Sequence, residues 1–126
     1  MQDKIEFVRL IGDERRAGSK LSSVSRHWQN EKERFLFVSP HDDDAVLGGG
    51  LLIQLAKREN VSVHILIVTD GNMGYCNEKE KDTICNIRQE EASKCYQYLG
   101  IPKENIIRLA SSCRILQIVS FSFSLQ

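Results

Sequence analysis

FLFVSPHDDDAVLGGG, residues 35–50, runs from a short apolar stretch into one histidine, three consecutive aspartates and then three glycines. The run FLFVS suits a strand buried on both faces, and residues 45–58 have the spacing of a helix. Residues 61–69, VSVHILIVT, are rich in β-branched side chains and form the best strand in the chain. A polar, glycine-containing loop, DGNMGYCNEKEKD, follows. Thr83 can cap a second helix whose apolar stripe is Ile84, Ile87, Cys95 and Tyr98 or Leu99, with Gly100 and Pro102 as its stop. IIRL, residues 106–109, reads as a third strand. Strand, helix, strand, helix, strand with such short connections predicts parallel strands joined by right-handed crossovers, hence an α/β fold, a three-layer α/β/α sandwich. In such sheets ligands bind beyond the carboxyl ends of the strands, so His41–Asp44 and Thr69, Asp70 and Gly71 are expected on one edge.

Working outward, residues 1–34 carry weak helical periodicity (Ile5, Val8, Leu10, Ile11) and then the polar stretch SKLSSVSRHWQNEKER, which predicts a helical and loop lead-in. Residues 35–110 read as the α/β domain, which is expected to be truncated. Residues 111–126 form an atypical tail in which SFSFSL alternates like a half-buried strand.

The 126 residues suffice for one domain, and 41% hydrophobic with 27% charged residues is an ordinary globular composition. Seventeen basic and seventeen acidic side chains cancel, which leaves no broad electrostatic case for nucleic acid or an anionic membrane. No stretch is apolar enough for a membrane span and the start is unlike a secretory signal, so the expectation is a cytoplasmic chain. Cys76, Cys85, Cys95 and Cys113 show no C-x-x-C spacing and read as reduced structural thiols.

Three adjacent carboxylates repel one another, and a helix N-terminus offsets only about 0.3–1 kcal/mol per anion. A divalent cation resolves the conflict. Imidazole with carboxylate suits zinc better than magnesium or calcium. At a turning strand end His41 and Asp44 can serve as two ligands while Asp43 acts as base on bound water, whose pKa falls to around 7 on zinc. The plainer reading is that the aspartates only cap the following helix. Gly48, Gly49 and Gly50 let that helix approach the sheet or a ligand, or simply loosen its start.

FLFVSPHDDDAVLGGGLL, then ILIVTDGNMG, then IRQEEASKCYQYLGI together resemble the opening segments of the PIG-L/LmbE-like N-acetylglucosaminyl deacetylases, over about residues 35–109. The resemblance implies a Rossmann-like sheet with a mainly parallel order, a zinc site, and hydrolysis of the amide of an N-acetylated amino sugar or glycoconjugate. It implies His41 and Asp44 as Zn2+ ligands and Asp43 as the catalytic base. Arg88, in R-x-x-E with Glu91, matches a family arginine near the substrate pocket, and Thr69, Asp70 and Gly71 match a loop lining it. Asp42 stands where the family often has proline and Ala45 where it usually has glutamate. The family's downstream histidine segment, source of the third ligand, has no counterpart here. His64 lies inside a strand and His27 ahead of the first, so neither is expected to replace it.

Three functions follow as expectations: a zinc-dependent N-deacetylase, inactive if the third ligand is wanting; a non-catalytic fragment with weak metal binding; or a glycosyltransferase-like domain holding a metal through the D-x-D pair Asp42 and Asp44.

Overall fold

The computed structural model describes residues 5–25, 28–29, 32–71 and 77–111. His27, Cys76, Cys113, residues 72–75 of the glycine-containing loop and the SFSFSL tail lie outside them. Among the described residues a three-stranded sheet, β3 (Arg34–Ser39), β4 (Ser62–Thr69) and β5 (Ile106–Ser111), is wholly parallel in the order β3-β4-β5. Helix α2 (Asp44–Arg58) connects β3 to β4, and α3 (Ile84–Tyr98) lies between β4 and β5. The α/β architecture is therefore the expected one.

Both crossovers step the same way across the sheet, and right-handed connections then place both helices on one face. On that face Val63, Ile65 and Ile67 of β4 pack with Ile53, Leu55 and Ala56 of α2 and with Ala92 and Tyr96 of α3 in a single core. The described residues thus supply the sheet and one helical layer of the sandwich. On the other face Leu36 and Val38 are 58% and 61% exposed, and Ile107 and Leu109 are exposed as well. The strand β3, expected to be buried on both faces, alternates instead because no helix among the described residues covers its second face. His64 is half-buried on that second face, its Nε2 3.2 Å from Ser62 Oγ.

Helices α2 and α3 each end with a left-handed residue that lets the last carbonyls be reused. Gly100 (φ 73°) follows α3, with Gly100 N–H donating to Gln97 and Ile101 N–H to Tyr96. Asn60 (φ 58°) does the same for α2, with Val61 N–H donating to Ala56. The glycine triplet divides: a Cβ on Gly49 would stand 2.5 Å from the Phe37 ring, whereas one on Gly48 would meet nothing within 4 Å. Only Gly49 is needed for the close approach of α2 to the sheet.

The lead-in is a correction. Residues 7–18, expected to be helical, form an antiparallel hairpin of β1 (Phe7–Ile11) and β2 (Glu14–Gly18) with Gly12 and Asp13 as its two-residue loop. Gly12 takes the positive φ (57°) that such a tight turn requires. A one-turn helix, α1 (Leu21–Val24), follows, and Leu21 N–H donates to Glu59 while Arg58 donates to the Ser19 carbonyl, which fastens the lead-in to the end of α2.

Candidate active site

The site is built where β3 gives out. Ser39, the last residue of β3, is 1% exposed, and its hydroxyl donates to the His41 carbonyl (2.6 Å) and accepts from the Ala45 amide (2.9 Å). That bond satisfies an otherwise orphaned N–H at the start of α2, which a cap aspartate would ordinarily do. Asp43 occupies the N-cap position but makes no side-chain cap hydrogen bond. The aspartates are therefore not there to cap the helix, and each has a different fate.

Asp42 is 4% exposed and forms an ion pair with Arg108 of β5, while its carbonyl accepts the Tyr96 hydroxyl at 2.8 Å. Asp44 turns back on His41: its Oδ2 accepts the His41 amide (2.9 Å) and lies 3.1 Å from His41 Nδ1. Asp43 is exposed, with no hydrogen bond to another described side chain, and lines a cavity of about 340 Å³ between α2 and α3. Arg88, Glu91 and Cys95 of α3 share that cavity with Asp42 and Asp43.

The structure therefore assembles two pairs from the residues singled out in the sequence. His41 meets Asp44, and Asp43 shares a cavity with Arg88. Asp44 lines a different hollow, a shallow groove with Pro40, Phe37 and the glycines of α2. Among the described residues no group of three His, Cys, Asp or Glu side chains is placed to hold a metal.

The end of β4 is stitched to the end of β3. Thr69 donates twice to the Pro40 carbonyl, from its amide (3.0 Å) and its hydroxyl (2.8 Å), and is 4% exposed. Its hydroxyl hydrogen is committed to the scaffold. Gly71 has φ 66°, and a Cβ there would sit 3.2 Å from Arg88 Nη1, so the glycine admits the guanidinium against the backbone. Asp70 is half-buried beside them. The Cys85 thiol registers this neighbourhood: burial first, then the Asp70 charge, push its pKa up from 9.0, while Arg88 opposes them. The phenol of Tyr96, fully buried, is pushed up to about 12, chiefly by desolvation and next by Asp42, with Arg108 opposing. Cys85 and Cys95 are free thiols, as expected.

The residues that sequence reasoning did not find are Ser39, Tyr96 and Arg108, which hold the turn from behind. The expected stripe on α3 is also different: Tyr98 is 91% and Ile87 44% exposed, and Ala92 and Tyr96 are the buried pair.

Residues 36–119 match the family model described as PIG-L: GlcNAc-PI de-N-acetylase. The chain belongs to the PIG-L family. The match runs past Leu109 into the tail expected to be atypical. Among PIG-L relatives, the diacetylchitobiose deacetylase of Thermococcus kodakarensis is 30% identical over 86 residues, which cover 68% of this chain and 32% of that protein. The structure of N,N'-diacetylchitobiose deacetylase from Pyrococcus horikoshii, complexed with its inhibitor MPG, superposes with a TM-score of 0.59 at 32% identity, covering 67% of this chain and 32% of that one. The chain thus spans about a third of the length of the PIG-L relatives it matches. No helix among the described residues is long and apolar enough to cross a membrane.

Proposed function

We propose that the protein is a zinc-dependent N-deacetylase that hydrolyses the amide of an N-acetylated amino sugar or its conjugate, in the cytoplasm. The observation that carries this reading is the His41–Asp44 pair at the carboxyl end of β3, 3.1 Å apart, with the uncommitted Asp43 between them in sequence. Two ligands of one tetrahedral zinc, each at about 2.0–2.1 Å, stand roughly 3.3 Å from one another. The imidazole and carboxylate therefore fit one cation with a small outward shift that gives up their mutual hydrogen bond. The third protein donor of a catalytic site would come from outside the described residues. Zinc bound there would supply a Lewis acid to polarise the acyl carbonyl.

The chain's own groups support the remaining chemistry. Asp43 holds a carboxylate in the cavity with no competing partner among the described residues, as a base that must take a proton from attacking water requires. Arg88, across the same cavity, offers donors for sugar hydroxyls or for a developing oxyanion. Gly71 lets the Arg88 guanidinium lie against the backbone just past β4, and Thr69 ties that strand end to Pro40. Substrate relatives such as N,N'-diacetylchitobiose are the first to try, because the two similar proteins are named for it.

The glycosyltransferase-like reading loses its first ligand in this geometry. A D-x-D site needs Asp42 and Asp44 together on one cation, yet Asp42 is buried against Arg108 and Asp44 is turned to His41. The test is zinc stoichiometry with acetate release from N,N'-diacetylchitobiose and N-acetylglucosamine conjugates, for the wild type and H41A. Zinc binding lost in H41A, with acetate released by the wild type, is expected. Zinc affinity unchanged in H41A would overturn the site.

A further inference from the structure

We propose that Arg108 is a positioning residue for this site, holding the His41–Asp44 turn in its donor geometry through the buried carboxylate of Asp42. The inference rests on the zinc-site reading above and names the device that keeps that site formed.

Asp42 sits between the two residues with the most to lose from a shift, His41 on one side and Asp43 on the other. It is the one member of the acidic run that is withdrawn from solvent, its side chain only 5% exposed. A buried carboxylate without a cation is strongly disfavoured, so Arg108 fixes where this residue can lie. The ion pair spans 66 residues of sequence and joins the turn after β3 to the far strand of the sheet. Arg108 side chain atoms are themselves largely covered, which leaves the guanidinium few alternative positions. The backbone of Asp42 is pinned independently by the Tyr96 hydroxyl from α3. Two elements, β5 and α3, thus grip one residue, one by its side chain and one by its carbonyl. With both grips the peptide planes on either side of Asp42 have one orientation, which directs the His41 amide at Asp44 Oδ2 and leaves Asp43 facing the cavity. One oxygen of Asp42 and one nitrogen of Arg108 remain buried without a partner among the described residues. The pair is therefore not an optimised stability element, and its placement fits a positional role better than an energetic one.

The experiment follows amide hydrogen exchange by NMR in the full chain for the wild type, R108M, R108K and the double variant D42N/R108M, with zinc affinity measured alongside. Positioning by Arg108 predicts that in R108M the His41 and Ala45 amides exchange about ten times faster or more, while those of residues 63–67 are unchanged. R108K, which keeps a cation opposite Asp42, restores most of the protection. Zinc affinity falls about ten- to a hundredfold in R108M, as for other residues that orient metal ligands. If R108M does not fold, the double variant removes both charges together and is expected to fold with the same two amides released. Exchange at His41 and Ala45 that is unmoved in the variants, or that rises only in step with the strand amides, would overturn the proposal. The exchange readout needs no metal, so failure of zinc to bind the wild type would refute the zinc reading without obscuring this one.

Discussion

Thr69 and Pro40 are joined by two hydrogen bonds to one carbonyl oxygen, the amide of Thr69 at 3.0 Å and its hydroxyl at 2.8 Å. Pro40, just past β3, has no N–H to donate to the ladder, but its carbonyl accepts from the neighbouring strand. The bonds set the two loops that carry His41 and Asp70 at a fixed spacing on the carboxyl edge.

Replacing Thr69 with valine keeps the β-branched shape and removes only the hydroxyl. The Pro40 carbonyl retains one bond from the amide, so the cost is expected at about 0.5–1.5 kcal/mol, the net worth of one hydrogen bond. T69S should recover most of it. Urea unfolding curves measure the difference. A valine variant as stable as the wild type would mean that the hydroxyl contributes nothing to holding the loops.

The glycine triplet of α2 gives opposite expectations for neighbouring positions. G49A forces a methyl to 2.5 Å from the Phe37 ring and should destabilise by about 1–3 kcal/mol, the usual cost of overpacking. At Gly48 the added methyl meets nothing within 4 Å and the position is helical and exposed, so G48A should stabilise by roughly 0.5–1 kcal/mol. Thermal melts of the two variants check both signs at once. Equal shifts in the same direction would show that α2 does not lie against β3 as described.

Tyr96 makes stability depend on alkaline pH. Its folded pKa of about 12 lies above the ordinary 10.0, because burial disfavours the phenolate. The neutral phenol is bound preferentially by the fold, so this contribution is fully present below about pH 10 and is lost as pH rises through 12, to the extent of about 2–3 kcal/mol. Y96F should cost about 1–3 kcal/mol at neutral pH, since the Asp42 carbonyl loses its donor. In return it should flatten the decline between pH 10 and 12. The Cys85 thiol is also raised, so the comparison is best made in a C85S background. Parallel declines for the two proteins would place the alkaline weakness elsewhere.

How much of this was legible in the sequence follows from the range of each signal. The elements of the sheet region were readable because period-2 and period-3.6 patterns are local: residues 61–69 became Ser62–Thr69, and the helix expected from residue 45 begins at Asp44. Gly100 marked the end of α3 by the same local logic. The hairpin was missed although Gly12 and Asp13 are a two-residue turn signal, because ERRAG carries charges and β1 and β2 have no clean alternation of buried and exposed positions. Tyr96 and Tyr98 cannot be told apart by composition; what selects Tyr96 is the Asp42 carbonyl, a donor-seeking group supplied from another element. Within the site, His41, Asp43 and Asp44 were visible as a run, whereas Arg108 was not, since nothing periodic links residues so far apart in the chain.

The sharpest separation of roles concerns Asp43 and Asp44, adjacent in sequence yet facing different hollows. If Asp44 is a ligand, D44N should weaken zinc binding sharply, because a neutral amide replaces the anionic donor that sits 3.1 Å from His41 Nδ1. If Asp43 is the base, D43N should leave zinc affinity within about twofold and lower acetate release by about a hundred- to ten-thousandfold, the usual contribution of a positioned proton acceptor. Neither carboxylate caps α2, so helix content by circular dichroism should be unchanged in D43N. The two variants measured together by zinc titration and acetate release give a crossed pattern, binding without turnover for D43N and neither for D44N. Loss of zinc in D43N as severe as in D44N would assign Asp43 to the metal and leave the proton without an acceptor in this part of the chain.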